Sequence, residues 1–357
     1  MARASRALIM MQGAVILAAS VSQTPAVTYY LAVDVPSKLS GAEFAPNQIV
    51  RSVGAAYAVS ATLPAGTELL SLHLRANGTW LFSPAWPVTL GGTTFEPRDV
   101  VAFDGVTFSM ALDGSVAGLP ANTRIDALLQ FPSGDLGMSF DVPVNLGGNE
   151  YSRSDIVRYN GAFSLSWDAE GAGVPASSNV VGCAIDAAGN EALTFDVPTR
   201  IGTTDFLPGQ LVRWTGSGFA SYFTDGGWPA SSQLRDFAFA PAAGIVPDGF
   251  HAPGPLLTVT QASGGQITLT WGASCLASDF DYEIYEGKAG SWYSHVPRFC
   301  TTGGALTRTF TPAGGSSYYL IVPRNAVAEG GYGVDSAGTP RQAGAGACLA
   351  QTAGACR

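Results

Sequence analysis

A chain of 357 residues has room for about two domains and can bury a sizeable core. Its composition, 46% hydrophobic and only 13% charged, excludes a disordered polymer. Acidic residues outnumber basic ones 27 to 18, which argues against nucleic acid or an anionic membrane as the main partner, and the only lysines, Lys38 and Lys288, cannot build a polybasic patch.

The first residues read as an export signal. Arg3 and Arg6 precede an apolar run from Ala7 to Ala19, and small residues follow around Ser20 and Ser22. That order suits a secretory peptide over residues 1–26, too short for a comfortable membrane span. No later stretch is long and apolar enough to cross a bilayer. The mature chain is expected to be secreted or extracytoplasmic, without a membrane span, and monomeric.

An internal repeat governs residues 27–245. Ser139–Gly148 resembles Thr194–Gly202, and the frame recurs at Ser83–Gly92 and around Val33–Gly41. An apolar pair with one further residue follows each: Ile49-Val50-Arg51, Val100-Val101-Ala102, Ile156-Val157-Arg158 and Leu211-Val212-Arg213. Turn glycines close the units at Gly78, Gly134, Gly189 and Gly244, separated by 56, 55 and 55 residues. Within a unit, Phe108, Met110 and Leu112, or Phe163, Leu165 and Trp167, alternate with small or polar residues. Such alternation, bounded by Asp104-Gly105, Asp113-Gly114 and Asp225-Gly226, predicts strands joined by tight turns. Four strands per unit at this period resemble the blades of a β-propeller, and four copies predict four blades closed in a ring. A row of small β-sandwiches is the rival arrangement.

Residues 246–255 lie in a stretch rich in proline, alanine and glycine that reads as a linker. Beyond it, Leu256–Thr260, Gln266–Trp271, Asp281–Glu286, Leu306–Thr311 and Ser317–Val322 are strand-like runs at sandwich spacing. Trp271, Tyr282 and Tyr285, the run Tyr319–Asn325 and the segment Glu329-Gly330-Gly331-Tyr332 resemble a fibronectin type III domain over residues 256–340. The resemblance implies a β-sandwich acting as spacer or adhesion module, with Glu329–Tyr332 leading into its last strand. It implies no catalytic residues. Residues 341–357 form a tail. The fold class expected is therefore all-β, a four-repeat propeller-like array followed by a fibronectin type III-like sandwich.

Chemistry is sparse. No zinc-protease helix, phosphate loop or nucleophile elbow is present, and no cofactor is expected. Asp34, Asp141 and Asp196 occupy equivalent positions two residues before a proline, where the second copy has Ala85. In a ring they could hold a hard cation, but aspartate before a turn more often accepts nearby backbone N–H groups. Asp99 and Asp155, matched by Gln48 and Gln210, suit structural hydrogen bonds. Trp80, Trp86 and Trp228 are candidate exposed aromatics for ligand stacking, and Trp292, Tyr293 and His295 a candidate recognition loop. No copy shows a convincing break of the repeat by an extra acid or base. The expected function is thus an exported, non-catalytic binding, adhesion or scaffold protein for a glycan or an extracellular protein. The alternative is a glycan-active hydrolase using carboxylates at the mouth of the array. Of five cysteines, Cys275–Cys300 and Cys348–Cys356 are the expected disulfides, and Cys183, in an apolar run, the free thiol.

Overall fold

The computed structural model describes residues 28–53, 56–223, 232–344 and 346–356. The signal-like segment and Trp228 lie outside the described residues.

Four antiparallel four-stranded sheets form four blades. From the inside outward the first blade runs Leu234–Phe239, Thr28–Val33, Gln48–Val53 and Ala56–Thr62. The second runs Leu69–Leu74, Trp80–Pro84, Val100–Phe103 and Phe108–Leu112. The third is Ile125–Gln130, Leu136–Phe140, Ile156–Tyr159 and Phe163–Trp167, and the fourth Val180–Ile185, Glu191–Phe195, Leu211–Trp214 and Phe219–Phe223. The innermost strands touch their neighbours in turn and also reach across to the opposite strand, so all four surround one axis. Leu234–Phe239 arrives last in sequence yet pairs with Thr28–Val33 from the start of the array. That pairing closes the ring and leaves each sequence repeat straddling two blades. The last repeat glycine, Gly244, consequently falls after the closing strand rather than in a blade turn, whereas Gly78, Gly134 and Gly189 sit in turns at positive φ.

Each gap between blades holds its own core. Phe82 and Phe95 pack with Ile49 between the first and second blades, and Phe140 with Leu81 between the second and third. Phe195 and Phe206 fill the next gap, and Phe237 with Leu31 the last. Burying one such side chain is worth about 1.5–3 kcal/mol, and no blade can do so alone. Each blade also carries a short hairpin between its second and third strands: Ser37–Leu39 with Ala42–Phe44, Val88–Leu90 with Thr93–Phe95, Val144–Leu146 with Asn149–Tyr151, and Thr199–Ile201 with Thr204–Phe206. The repeated glycines make these turns: Gly91 and Gly92, like Gly147 and Gly148, have positive φ. On the outermost strands the middle apolar residue is exposed, as for Met110 and Leu165, because no further strand or blade covers that edge. Asp113-Gly114 is not a hairpin turn. Asp113 instead caps the short helix Gly114–Ala117 by accepting the N–H groups of Ser115 and Val116.

The C-terminal module is a sandwich of two three-stranded sheets. One contains Thr258–Gln261, Ile267–Thr270 and Thr307–Phe310, the other Val296–Phe299, Asp281–Lys288 and Ser317–Arg324. Leu269, Trp271, Tyr282, Ile284, Phe310 and Ile321 fill the space between them. No strand forms at Glu329–Tyr332, where the family resemblance implied one. That segment instead hydrogen-bonds both to the tail and to the exit from the ring: Glu329 N–H to Ala350 O at 3.1 Å, and Gly331 N–H to Gly244 O at 2.9 Å. The linker-like residues also pack on the sandwich, Val246 against its core and Ile245 O accepting Cys275 N–H at 3.1 Å.

The tail reverses the expected disulfide partners. Cys275 pairs with Cys356 and Cys300 with Cys348, while Cys183 is free and buried. The physical reason is that residues 351–353 return beside Ala243 and Glu329, bridging Ala243 to Ala353 and Glu329 to Gln351. This course carries Cys356 to Cys275 and leaves Cys348 beside Cys300.

Candidate functional site

The axis itself is sealed by one side chain. Inner strands have a blade neighbour on one edge only, so their other edge would present unpaired N–H groups to the axis. Asp236, fully buried, collects them. Its Oδ2 accepts Leu72 N–H at 2.7 Å and Leu128 N–H at 3.0 Å; its Oδ1 accepts Cys183 N–H at 3.1 Å and Phe237 N–H at 2.7 Å. These four donors come from equivalent positions on all four inner strands. Burial pushes the Asp236 carboxyl well up, and the four N–H bonds act against that shift. The other copies have Ser71, Ala127 and Gly182 at this position, which leaves room for the one carboxylate. A Cβ on Gly182 would lie 2.9 Å from Asp236 Oδ1. Asp236 is therefore a non-equivalent acid in one repeat, contrary to the expectation that no copy breaks the pattern. The signal was present in the aligned triplets Leu70-Ser71-Leu72, Asp126-Ala127-Leu128, Val181-Gly182-Cys183 and Arg235-Asp236-Phe237.

At the entry end of the inner strands, the repeated aspartates tie the second strand of each of their blades to the start of its inner strand, rather than bonding within their own turns. Asp34 Oδ1 accepts Gln233 N–H at 2.8 Å, Asp141 Oδ1 accepts Arg124 N–H at 2.8 Å, and Asp196 Oδ1 accepts Asn179 N–H at 3.2 Å. No group of three or more metal-ligating acids, histidines or cysteines occurs among the described residues. Asp99 and Asp155 likewise close loops, each accepting a backbone N–H three residues earlier, as Gln48 and Gln210 do. Asp126 is the exception. It is buried, bonds Asn179 Nδ2 through Oδ2 at 2.7 Å, and burial raises its carboxyl well above the ordinary range. Trp86 stands exposed at this end, where the other copies have Val35, Val142 and Val197. Its Nε1 donates to Glu68 Oε2 at 3.0 Å, and the Arg124 guanidinium covers one face of the ring at 4.7 Å. Glu68 is in turn 3.4 Å from Arg235. Apart from Asp126, whose Oδ1 is buried without a partner, the carboxylates named at this mouth are engaged with backbone, arginine or indole partners.

The opposite end of the ring meets the C-terminal module. Ala326 N–H bonds Ala76 O at 3.0 Å, Asn325 Nδ2 bonds Pro241 O and Ala242 O at 3.1 Å, and Val327 packs on the core between the first two blades. Beside these contacts lies an open cleft of about 620 Å³. Tyr30, Arg51, Leu74 and Trp80 line it from the ring, and Val327 with tail residues 347–350 from the other module. Trp80, expected to be exposed, is 7% exposed; its ring meets Tyr30 edge-on at 4.9 Å. Arg51 makes no ion pair among the described residues, and its Nε is buried without a hydrogen-bond partner. The equivalent Arg158 is paired with Asp135. No aspartate, glutamate or histidine lines this cleft.

Behind the tail wall of the cleft lies a buried acid cluster. Tyr285 Oη is 2.9 Å from Glu283 Oε2, 2.7 Å from Glu329 Oε2 and 3.0 Å from Cys348 N–H. A phenol has one proton, so it can donate to one carboxylate only; the second contact needs a protonated carboxyl donating to the phenol oxygen. Burial, then the adjoining Glu329, raises the Glu283 carboxyl to about 9. Tyr332 donates to Glu329 Oε1, closing the cluster.

The expected recognition loop divides. Trp292 and Tyr293 are exposed, 62% and 53%, with Trp292 packed 5.3 Å from the Tyr318 ring. His295 instead turns inward and is 2% exposed, its Nδ1 3.2 Å from Tyr318 Oη. It is covered by Gly344, where any Cβ would lie 2.4 Å from His295 O. Burial lowers the His295 imidazole below its ordinary range. His73 lies on an inner strand, and burial pushes it down to about 4, so it is neutral at pH 7.

No protein-family model and no curated protein matches the chain. Among solved structures, the extracellular domain of a one-component system, BT4673 from B. thetaiotaomicron, is similar at 7% identity, with 88% of this chain and 55% of that chain covered and a TM-score of 0.28. This chain thus spans about half the length of that neighbour. Streptogramin B lyase is similar at 12% identity, covering 79% and 70% of the two chains with a TM-score of 0.23. YCF48 bound to D1 peptide is similar at 9% identity, covering 70% and 76%, with a TM-score of 0.25. At such low values the architecture rests on the sheet pairing above: an all-β protein with a four-bladed ring and a sandwich. Its two disulfides suit an oxidising, extracytoplasmic setting. No helix among the described residues is long and apolar enough to cross a membrane.

Proposed function

We propose that this chain is an exported, non-catalytic binding protein whose ligand sits in the cleft between the ring and the C-terminal module. The observation that carries the reading is the cleft's composition: about 620 Å³ framed by two buried aromatic side chains, an unpaired guanidinium and tail backbone, without an acid–base pair. Of the two partner classes expected from sequence, the geometry favours an extracellular protein segment over a glycan. Tyr30 and Trp80 are 6% and 7% exposed, so neither offers the open ring face on which a sugar stacks. The fibronectin type III-like sandwich, in this reading, serves as the second jaw of the cleft rather than as a detached spacer.

Peptide and glycan arrays probed with the secreted protein and with an Ala350→Trp variant test this. Peptide ligands that the bulky variant no longer binds are the expected result. Binding that ignores the substitution places the ligand elsewhere and defeats the reading.

A further inference from the structure

We infer that the cleft takes the free C-terminal end of a peptide, with the terminal carboxylate on Arg51 and the last side chain among Leu74, Val327 and Leu349; this rests on the binding reading above. Three observations converge. First, Arg51 occupies a repeat position whose third-blade counterpart, Arg158, has its carboxylate supplied in place by Asp135. Arg51 has no ion pair among the described residues and lines the cleft; its fourth-blade counterpart Arg213 also has a buried Nε without an acceptor and no ion pair, but does not line it. A guanidinium cannot shed its proton, so one that lines a cleft without a counter-ion calls for an anion there, and carboxylates match its fork geometry best.

Second, the lining itself carries no other charged side chain; the Glu283–Glu329 cluster lies behind the tail wall and is bonded to Tyr285, Tyr332 and the backbone of Cys348 and Leu349. The remaining lining consists of Tyr30, Leu74, Gly78, Trp80, Ala326, Val327 and residues 347–350. An anion entering there would meet one cation and no competing carboxylate. Burial raises the Tyr30 phenol against the smaller lowering effect of Arg51, so Tyr30 stays neutral beside the guanidinium. Third, part of the apolar lining comes from a different module than Arg51. Val327 follows the docking contact Ala326–Ala76, and Leu349 belongs to the tail held by Cys300–Cys348. A ligand with a carboxylate at one end and an apolar side chain beside it would therefore touch both modules at once. A free small carboxylic acid shares this chemistry, and the experiment separates the two sources.

The test uses the secreted full chain and titration calorimetry. The probes are the peptide Ala-Ala-Val-Leu with a free C-terminus, the same peptide amidated, and N-acetyl-leucine as the small acid. The free-acid peptide is expected to bind about 10- to 100-fold more tightly than its amide, the range for one charge-assisted hydrogen-bond pair. Arg51→Met should remove that difference, and Arg51→Lys should retain part of it. If Arg51→Met does not fold, as judged by its thermal transition, Arg51→Lys with the amide comparison carries the test alone. Equal affinity of acid and amide overturns the carboxylate inference, and retained sensitivity to Ala350→Trp would show that the cleft still binds. N-acetyl-leucine binding as tightly as the peptide overturns the peptide end in favour of a small acid. No binding by any of the three overturns the inference, while the array comparison with Ala350→Trp still decides the broader reading.

Discussion

Asp236 Oδ2 accepts the backbone N–H of Leu128, 108 residues earlier and on the opposite inner strand, at 3.0 Å. One oxygen of one side chain thereby ties the first blade to the third, while the other reaches the fourth through Cys183. A ring of four short strands leaves no space for more than one such group. The acid pays for its burial by satisfying four donors that water could not reach.

Asp236→Ala should therefore cost about 4 kcal/mol or more, since it strands several buried N–H donors at roughly 1–3 kcal/mol each. Asp236→Asn should cost about half as much, because one carbonyl oxygen remains and an amide NH2 faces two donors. Urea unfolding of the purified chain measures both. A loss of under 1 kcal/mol for the alanine variant would mean that the axis is hydrated and the carboxylate dispensable.

Gly182 is the second test of that packing. An added methyl would stand 2.6 Å from Thr194 Cγ2 and 2.9 Å from Asp236 Oδ1, and neither can retreat without disturbing a strand or the axis. Gly182→Ala should destabilise by about 1–3 kcal/mol. Ala127→Gly, at the same repeat position, should cost only about 1 kcal/mol through backbone entropy. Unfolding midpoints that reverse this order would refute the crowded axis.

The ring was legible in the sequence because each blade repeats the same strands, and four copies in register leave few other ways to bury their faces. The repeated position of Asp34, Asp141 and Asp196 was readable, but their donors were not: each accepts an N–H from the start of the adjacent inner strand, 199, 17 and 17 residues away in the chain, rather than from its own turn. Asp236 was harder to see. Its meaning depends on three small residues, Ser71, Ala127 and Gly182, lying across an axis that exists only after closure. The cleft was invisible for a related reason: Arg51, like Arg213, is ordinary within its repeat and without an ion pair, and becomes distinctive only because the tail and Val327 close a cleft over it. The inward turn of His295 depends on Gly344, nearly 50 residues later in the chain.

The shared proton near Glu283 sets a pH dependence with a definite sign. Its carboxyl is raised from 4.5 to about 9 in the folded protein, with Glu329, Tyr285 and Arg324 facing it and Tyr332 bonded to Glu329. Between those values the native state holds a proton that the unfolded chain has released. Stability from this group is therefore complete below about pH 4.5 and declines as pH rises towards 9. Because Cys348 N–H bonds Tyr285 Oη, amide protection at Cys348 should fall between pH 5 and pH 8.5 after correction for intrinsic exchange. Glu283→Gln keeps a donor towards the phenol without a titrating proton and should flatten that decline. Protection that rises with pH in the wild-type chain would contradict the shared-proton arrangement.

The disulfides fix the tail that walls the cleft, and their pairing is directly measurable. Cys300–Cys348 spans 48 residues and Cys275–Cys356 spans 81, so each removes roughly 4 kcal/mol of chain entropy from the unfolded module in the loop-closure treatment. Pairing neighbours in sequence would close shorter loops, but the tail's return beside Ala243 and Glu329 sets the geometry instead. Peptide mapping without reduction should yield Cys275 linked to Cys356 and Cys300 to Cys348, with Cys183 unmodified until the protein is denatured. Burial raises the Cys183 thiol well above its ordinary range, which keeps it protonated and unreactive in the folded ring. Replacing both Cys300 and Cys348 by serine should leave the other bridge intact, make residues 346–352 the first site of proteolysis, and weaken ligand binding in the cleft without unfolding the ring. Recovery of a Cys275–Cys300 peptide from the native protein would rule this tail course out, and with it the wall that Leu349 and Ala350 give the cleft.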